Sequence, residues 1–476
     1  MNAIIDAISN ALYTYVLIIV LVVGGIYFTV RTKVSQVRLF GEQIKNVAEK
    51  PKNKKGVSSF QALMVSTASR VGTGNIIGVS TAICLGGFGS VFWMWIIALI
   101  GGASALIEST LAQIYKRKGL NGCYGGPAYY IESGLKCRPL AIVFSILLIL
   151  TYGIGFNMLA SYNLQTTFST YSFYDSDTTP WIIGAIVAVM VCFCLLGGGK
   201  GIIKTTGILV PFMGVAYMFI ALIVVLLNIT SLPSVIGQIF TEAFDFSAIF
   251  GGFGGSCVMY GIKRGLFSNE AGVGSAPNAS ASAEVSHPVK QGLVQVLSVF
   301  IDTLLFCTAT AFMCMCSGVK PSAELSGAEY VQKSLTATFG GFGPIFITVA
   351  MVLFAFTTLI GNLFYVDKAF IHIMKKEPKK WFKNIYYVVF SAIILVGAGL
   401  DAGLLWNLSD VFMGAMTLIN VPVIIILGKY AIRAIDDYVK QRKKGLSPNF
   451  LAKNIGLKDK VDYWQEDTSC ESFISQ

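Results

Sequence analysis

The chain has 476 residues, 54% of them hydrophobic and 13% charged, with a mean hydropathy of +0.68. Those values exclude an ordinary water-soluble domain and point to a membrane protein. The formal net charge of +11 is read through its placement, because Lys and Arg gather in the cytoplasmic loops of bilayer-spanning chains, and it calls for no nucleic acid as partner.

A bilayer core of about 30 Å asks for about 20 apolar residues per helix. In chain order such runs fall at residues 11–30, 60–83, 90–115, 139–168, 181–197, 205–228, 247–265, 290–317, 341–372, 384–400 and 405–430. This predicts an all-α polytopic membrane protein with about 11 transmembrane helices. No basic leader followed by a small-residue cleavage site precedes the first run, so that run is expected to stay in the mature protein. The loop at 31–56 carries Arg31, Lys33, Arg38, Lys45, Lys50, Lys52, Lys54 and Lys55, and the positive-inside rule puts it in the cytoplasm. Alternation then predicts the N-terminus outside and the C-terminus inside. It also puts Lys116, Arg117 and Lys118, Lys200 and Lys204, Lys263, Arg264 and Lys290, and Lys375, Lys376, Lys379, Lys380 and Lys383 on the cytoplasmic side. The membrane domain is expected over residues 1–445, with a polar cytoplasmic tail over 446–476 that reads as a mobile surface segment. The ten cysteines lie mostly within apolar runs, which favours core packing over metal or disulfide chemistry.

Two runs contain residues that a lipid-facing helix avoids. The first holds Ala68-Ser69-Arg70-Val71-Gly72-Thr73-Gly74-Asn75, the second Gly251-Gly252-Phe253-Gly254-Gly255-Ser256. A glycine costs a helix about 1 kcal/mol relative to alanine, and irregular backbone at membrane depth survives only where it is buried in protein or lines a cavity. Half-helix ends at the midplane can hold a carboxylate on their N–H groups and a cation on their carbonyls, which is the chemistry of amino-acid and ion cotransport. The plainer alternative is a small-residue seam for close helix packing. The two runs are the second and seventh spans, so each opens a block of five, as in an inverted repeat with one extra N-terminal helix.

The stretches FQALMVSTASRVGTGNIIGVSTAICLGGFGSVFWMW (60–95) and GGFGGSCVMYGIKRGLFSNEAGVGSAPNASASAEVSHPVKQG (251–292), with FAFTTLIGNLFY (354–365), closely resemble the alanine or glycine:cation symporter family, the sodium:alanine symporters. The resemblance implies the leucine-transporter fold, a 5+5 inverted repeat around a midplane site reached by alternating access. It further implies Na+ as coupling ion, in some members H+, a small neutral amino acid such as alanine or glycine as substrate, and a place in the prokaryotic plasma membrane. Within that fold the sodium ligands match the Ala68 and Val71 carbonyls and the Thr357 and Thr358 hydroxyls, oxygens of the kind a hard cation prefers. The substrate carboxylate would meet the N–H groups around Thr73, Gly74 and Asn75. The ammonium would meet carbonyls of Gly251 and Gly252 and the hydroxyl of Ser256, with Phe253 as lid, wall or mere packing. Two departures from the family's pattern, Ala160 for a glutamine and Asn362 for a tryptophan, are expected to enlarge the pocket and keep glutamine open as a substrate.

Arg70, Glu108, Asp302 and Asp367 lie in or at the ends of predicted spans, where a charge is costly unless paired or wet. Arg70 is expected to pair with Glu108 or Glu270, as a gate or as a purely structural ion pair. Asp302 is the candidate if a proton replaces or accompanies Na+. An enzyme finds no support: His287 and His372 are the only histidines, and GTGNIIG lacks the dinucleotide spacing and follows no strand. A channel or an amino-acid sensor is the stronger rival, since broken helices also line channels.

Overall fold

Backbone in lipid must satisfy its own hydrogen bonds, so the apolar runs fold as helices. A computed structural model describes residues 2–51, 56–119, 122–245, 252, 256–457 and 461–464. Helix α1 (Ile5–Arg31) is followed by two shorter ones, α2 (Ser59–Arg70) and α3 (Gly74–Gly86). Then come α4 (Gly89–Ile114), α5 (Arg138–Thr166), α6 (Thr179–Leu196), α7 (Gly198–Leu227), α8 (Leu232–Ala243) and α9 (Cys257–Asn269). The chain continues through α10 (Pro288–Met315), α11 (Ala328–Phe339), α12 (Phe342–Met374), α13 (Lys380–Ala398) and α14 (Ala402–Lys443). Among the described residues nine of these are long and apolar enough to cross a membrane. The others include two broken crossings, α2 with α3 and α9 with the turn Pro277–Ser280.

Each broken crossing opens a block: α4 to α7 follow the first, and α10 and α12 to α14 follow the second. Helix α4 is the shared wall. Gly261 abuts Ser90 and Trp93, Gly265 abuts Met94 and Ile97, and Ala271 abuts Gly101, so α9 runs alongside α4 in the same direction. Gly102 abuts Phe300 and Val296 while Gly292 abuts Thr110 and Leu106, so α10 runs the opposite way. Small residues at these contacts let the helices approach closely. The two broken crossings start at opposite faces. Val57, just before α2, pairs with Ala283 beyond the second break, whereas α9 starts beside Glu242 at the end of α8. Val57 and the Lys- and Arg-rich loop after α1 share one face, the basic face.

Three expectations change. The seventh run was expected at 247–265, but its helix occupies Cys257–Asn269. Lys263 and Arg264 are therefore not loop residues of the basic face. They are buried within α9, where Asp410 of α14 pairs with both; a buried charge escapes the loop-charge rule once it has a partner. Residues 446–457 and 461–464 also differ from a mobile surface segment. Phe450 and Trp464 are both buried against the body of the protein, because apolar side chains in an otherwise polar tail gain by leaving water.

Candidate functional site

The first break lies where the sequence places it. Helix α2 starts with a capping box between Ser58 and Gln61 and ends at Val71, whose ψ of 89° leaves the helix. Helix resumes as a π-turn at Gly74. Past the last helical donors, the carbonyls at the end of α2 are free for other partners. Asn75 splints the gap: its Oδ1 accepts the Gly72 N–H at 2.8 Å, and its Nδ2 donates to Asp302 Oδ1 at 2.7 Å. Asp302 also accepts the Ser268 hydroxyl at 2.8 Å and the Thr303 hydroxyl at 3.0 Å.

The second break lies elsewhere than expected. Backbone leaves α9 at Glu270 (φ 52°) and passes Gly272 (φ 86°) and Gly274 (φ 91°) before the turn at Pro277. At Gly274 a side chain would also crowd Phe144, Pro127 and Asn420, so only glycine fits both the dihedral and the space. Asn420 of α14 pegs this break, donating to Gly272 O at 2.9 Å and to Glu108 Oε2 at 2.8 Å. Glu108 Oε1 accepts the Gly272 N–H at 3.4 Å. By contrast Ser256, expected at the ammonium, caps the start of α9 by accepting Met259 N–H at 3.3 Å, and Gly252 is exposed. Gly251 and Phe253 lie outside the described residues.

The two breaks face one another across a buried cavity. Its wall is Ser69, Arg70, Gly72, Thr73 and Gly74 from the first break, Phe267 and Glu270 from the second, Phe156, Leu159 and Ala160 from α5, and Thr358 from α12. About 20 Å³ of free space remains, about the room one water needs. Phe267 closes the side away from the basic face, its ring 4.8 Å from Phe156 and 4.9 Å from Trp406. Arg264 stacks on Trp406 at 3.9 Å, and Lys263 meets Asp410 at 2.9 Å. Aromatic stacking and a desolvated cation over a ring make this a cohesive roof.

Of the expected substrate residues, Thr73 and Gly74 line the cavity; Asn75, Ser256 and Asn362 are not among its wall residues. Asn362 joins three helices instead, accepting the Ser69 hydroxyl at 2.6 Å and donating to Asn157 Oδ1 at 2.9 Å. Arg70 makes no ion pair among the described residues with Glu108 or Glu270; its Nη1 donates to Gln295 Oε1 at 3.2 Å. Phe156, Leu159 and Phe267 were missed as wall residues. The signal for Phe267 was its place two residues before the Asn269-Glu270 break, since the last turn of a half-helix points into the gap.

The cation ligands expected from the resemblance converge in part. Gly361 abuts Ala68 and Ser69, which brings α12 against the end of α2, and the Thr358 hydroxyl lies against Gly72. That hydroxyl is buried and has no hydrogen-bond partner among the described residues. A buried hydroxyl beside free carbonyls fits a hard cation. Thr357 bonds back to its own helix, donating to Leu353 O at 3.0 Å.

The model of the sodium:alanine symporter family matches residues 1–452. The amino-acid carrier protein AlsT of Bacillus subtilis is 43% identical, over 98% of this chain and 98% of that protein. The probable sodium/glutamine symporter GlnT of the same organism is 40% identical, over 99% and 98%. The sodium/alanine symporter AgcS of Methanococcus maripaludis is 33% identical, over 93% and 98%. Among solved structures, that of MhsT in complex with L-phenylalanine has a TM-score of 0.51 at 17% identity, covering 85% of this chain and 95% of that one; at that identity it bears on the fold alone. The fold is that of the leucine transporter, and the family is one of transporters, not enzymes. The chain belongs to the sodium:alanine symporter family.

Proposed function

We propose that this protein imports a small neutral amino acid, alanine or glycine, across a prokaryotic plasma membrane, driven by Na+. The observation that carries the reading is the unpartnered Thr358 hydroxyl set against the break at Gly72, within the cavity wall that also holds the Thr73 and Gly74 backbone. Na+ would be held by that hydroxyl with the Ala68 and Val71 carbonyls and, at its lone pairs, Thr357. The substrate carboxylate would lie on the N–H groups at Thr73 and Gly74, where a helix N-terminus favours an anion. Glu270 in the second break is the wall's acidic group and suits the ammonium. The basic face is the cytoplasmic one, by its Lys and Arg. Residues 1–445 form the transport domain and 446–476 the cytoplasmic tail.

A specific observation favours a proton as a second coupling ion: Glu108, Glu270 and Asp302 are all fully or almost fully buried, Glu270 shares the cavity wall with Arg70, and a proton on any of these carboxyls would remove a costly buried charge.

Uptake of labelled alanine, glycine and glutamine into proteoliposomes, with and without an inward Na+ gradient, tests the reading. Alanine or glycine uptake should need Na+ and should fail in Thr358→Ala. Uptake indifferent to Na+ but steeper with an inward proton gradient would replace the ion assignment with the carboxylates around Arg70. Passive equilibration without accumulation would identify a channel.

A further inference from the structure

The chain beyond α14 folds back over the basic face and is tied down there. Phe450 N–H donates to Ser286 O at 3.1 Å, and the Ser286 hydroxyl donates to Pro448 O at 2.8 Å. Gln441 brackets Asn449, donating to its carbonyl at 2.8 Å and accepting its N–H at 2.9 Å. Trp464 is 1% exposed, and its indole N–H donates to Gln113 O at 2.7 Å. A tail that merely trailed into water would leave its aromatic residues and backbone to the solvent.

The residues that receive the tail also hold the lip of the transport path. Gln113 Nε2 and Lys116 Nζ both donate to Ala283 O, each at 3.0 Å. Lys116 Nζ also sits 3.9 Å from the Tyr463 ring and 4.9 Å from the Trp464 ring. Ala283 pairs in turn with Val57, and Glu284 N–H donates to Val57 O at 3.0 Å. Val57 leads directly into α2, whose far end lines the cavity at Ser69 and Arg70. A continuous set of bonds therefore runs from Tyr463 and Trp464 through Gln113 and Lys116 to Ala283, Val57 and the broken helix. For the cavity to open toward the basic face, α2 must part from the 281–284 segment.

We propose that the docked tail, residues 448–457 and 461–464, is a latch that holds the 281–287 segment against the lead-in to α2 and resists opening of the cavity toward the basic face. Docked, it favours the closed state in which the chain is seen; released, it lets α2 and the segment separate. The inference rests on the transport reading for its consequence, whereas the mechanical linkage stands on the contacts alone.

Two opposite manipulations of the full transporter test it. Truncation after Gly445, or the milder Trp464→Ala in the intact chain, should raise the initial uptake rate several-fold, with Na+ dependence kept. The same variants should speed amide hydrogen exchange at 56–62 and 281–287. Ser286→Cys with Pro448→Cys, oxidised to tie the tail down, should slow uptake, and dithiothreitol should restore it. Folded variants without a tail that transport no faster than native protein and exchange unchanged at 56–62 would overturn the latch, as would a tied tail that leaves uptake at its native speed. If native protein takes up none of the three amino acids, the transport reading fails by itself. The exchange experiment still decides the latch in that case: faster exchange at both segments supports it, and unchanged exchange sinks it.

Discussion

The Thr358 hydroxyl occupies the space that a side chain on Gly72 would need. Any methyl at position 72 must therefore push that hydroxyl aside, so Gly72→Ala and Thr358→Ala should damage the proposed Na+ site by different routes. Losing one oxygen contact to a charged partner is worth about 1.5–3 kcal/mol, a roughly tenfold or greater weakening of Na+ binding. Both variants should show that rise in the Na+ concentration for half-maximal uptake, Thr358→Ser should recover most of it, and Thr357→Ala should change it less. Equal effects at both threonines would contradict the geometry.

Asn75 ties Gly72 to Asp302 across the first break. Asn75→Ala strands a buried N–H and removes a donor from a buried carboxylate, a loss of about 1–3 kcal/mol. Thermal melting of the purified protein should fall accordingly, and uptake should fall with it. An unchanged melting temperature with lower affinity for alanine would instead make Asn75 a substrate contact.

Asp410 forms ion pairs with both Lys263 and Arg264. Asp410→Asn leaves two buried cations without their anion, which costs about 3–5 kcal/mol. Lys263→Met removes one of the two cations and should cost less. The order of the two melting temperatures is the check, and its reversal would rule out a shared pairing.

Phe267 packs on Phe156 and Trp406 over the cavity. Phe267→Ala should remove the roof, raise the alanine concentration for half-maximal uptake and improve glutamine relative to alanine. Competition of unlabelled glutamine against labelled alanine reads this directly.

His287 caps α10, with Asp437 3.3 Å from its Nε2, Lys290 nearby, and Tyr438 and Phe450 packed on its ring. Burial pushes its pKa below the ordinary 6.5, against the pull of Asp437. The folded protein thus resists a proton that the unfolded chain accepts, and stability is full above pH 6.5 and declines as pH falls through it toward the folded value. Melting curves at several pH values should show this decline, and His287→Gln should flatten it.

Much of this was legible in sequence because it depends on local chemistry. The first break could be read because Gly72, Thr73, Gly74 and Asn75 interrupt an apolar run within a few residues. The second was misplaced because Gly251 to Gly255 hold more glycine than 270–276, and composition cannot report depth. Depth was set by α9 running beside α4, which carries Glu270 and Gly272 to the level of Gly101 and Glu108. Lys263 and Arg264 read as loop charges because their partner Asp410 lies far along the chain.

By itself the sequence determined that the chain lives in a membrane, where most of its helices run, that one of them breaks within 68–75, and that Thr357 and Thr358 stand together. Those properties follow from hydropathy, helix propensity and adjacency. Only the tertiary structure decided which hydroxyl of the pair faces the break, which asparagines brace the backbone rather than line the cavity, and that the tail is docked. Those depend on the direction of a side chain and on contacts between residues hundreds of positions apart, which no local pattern encodes.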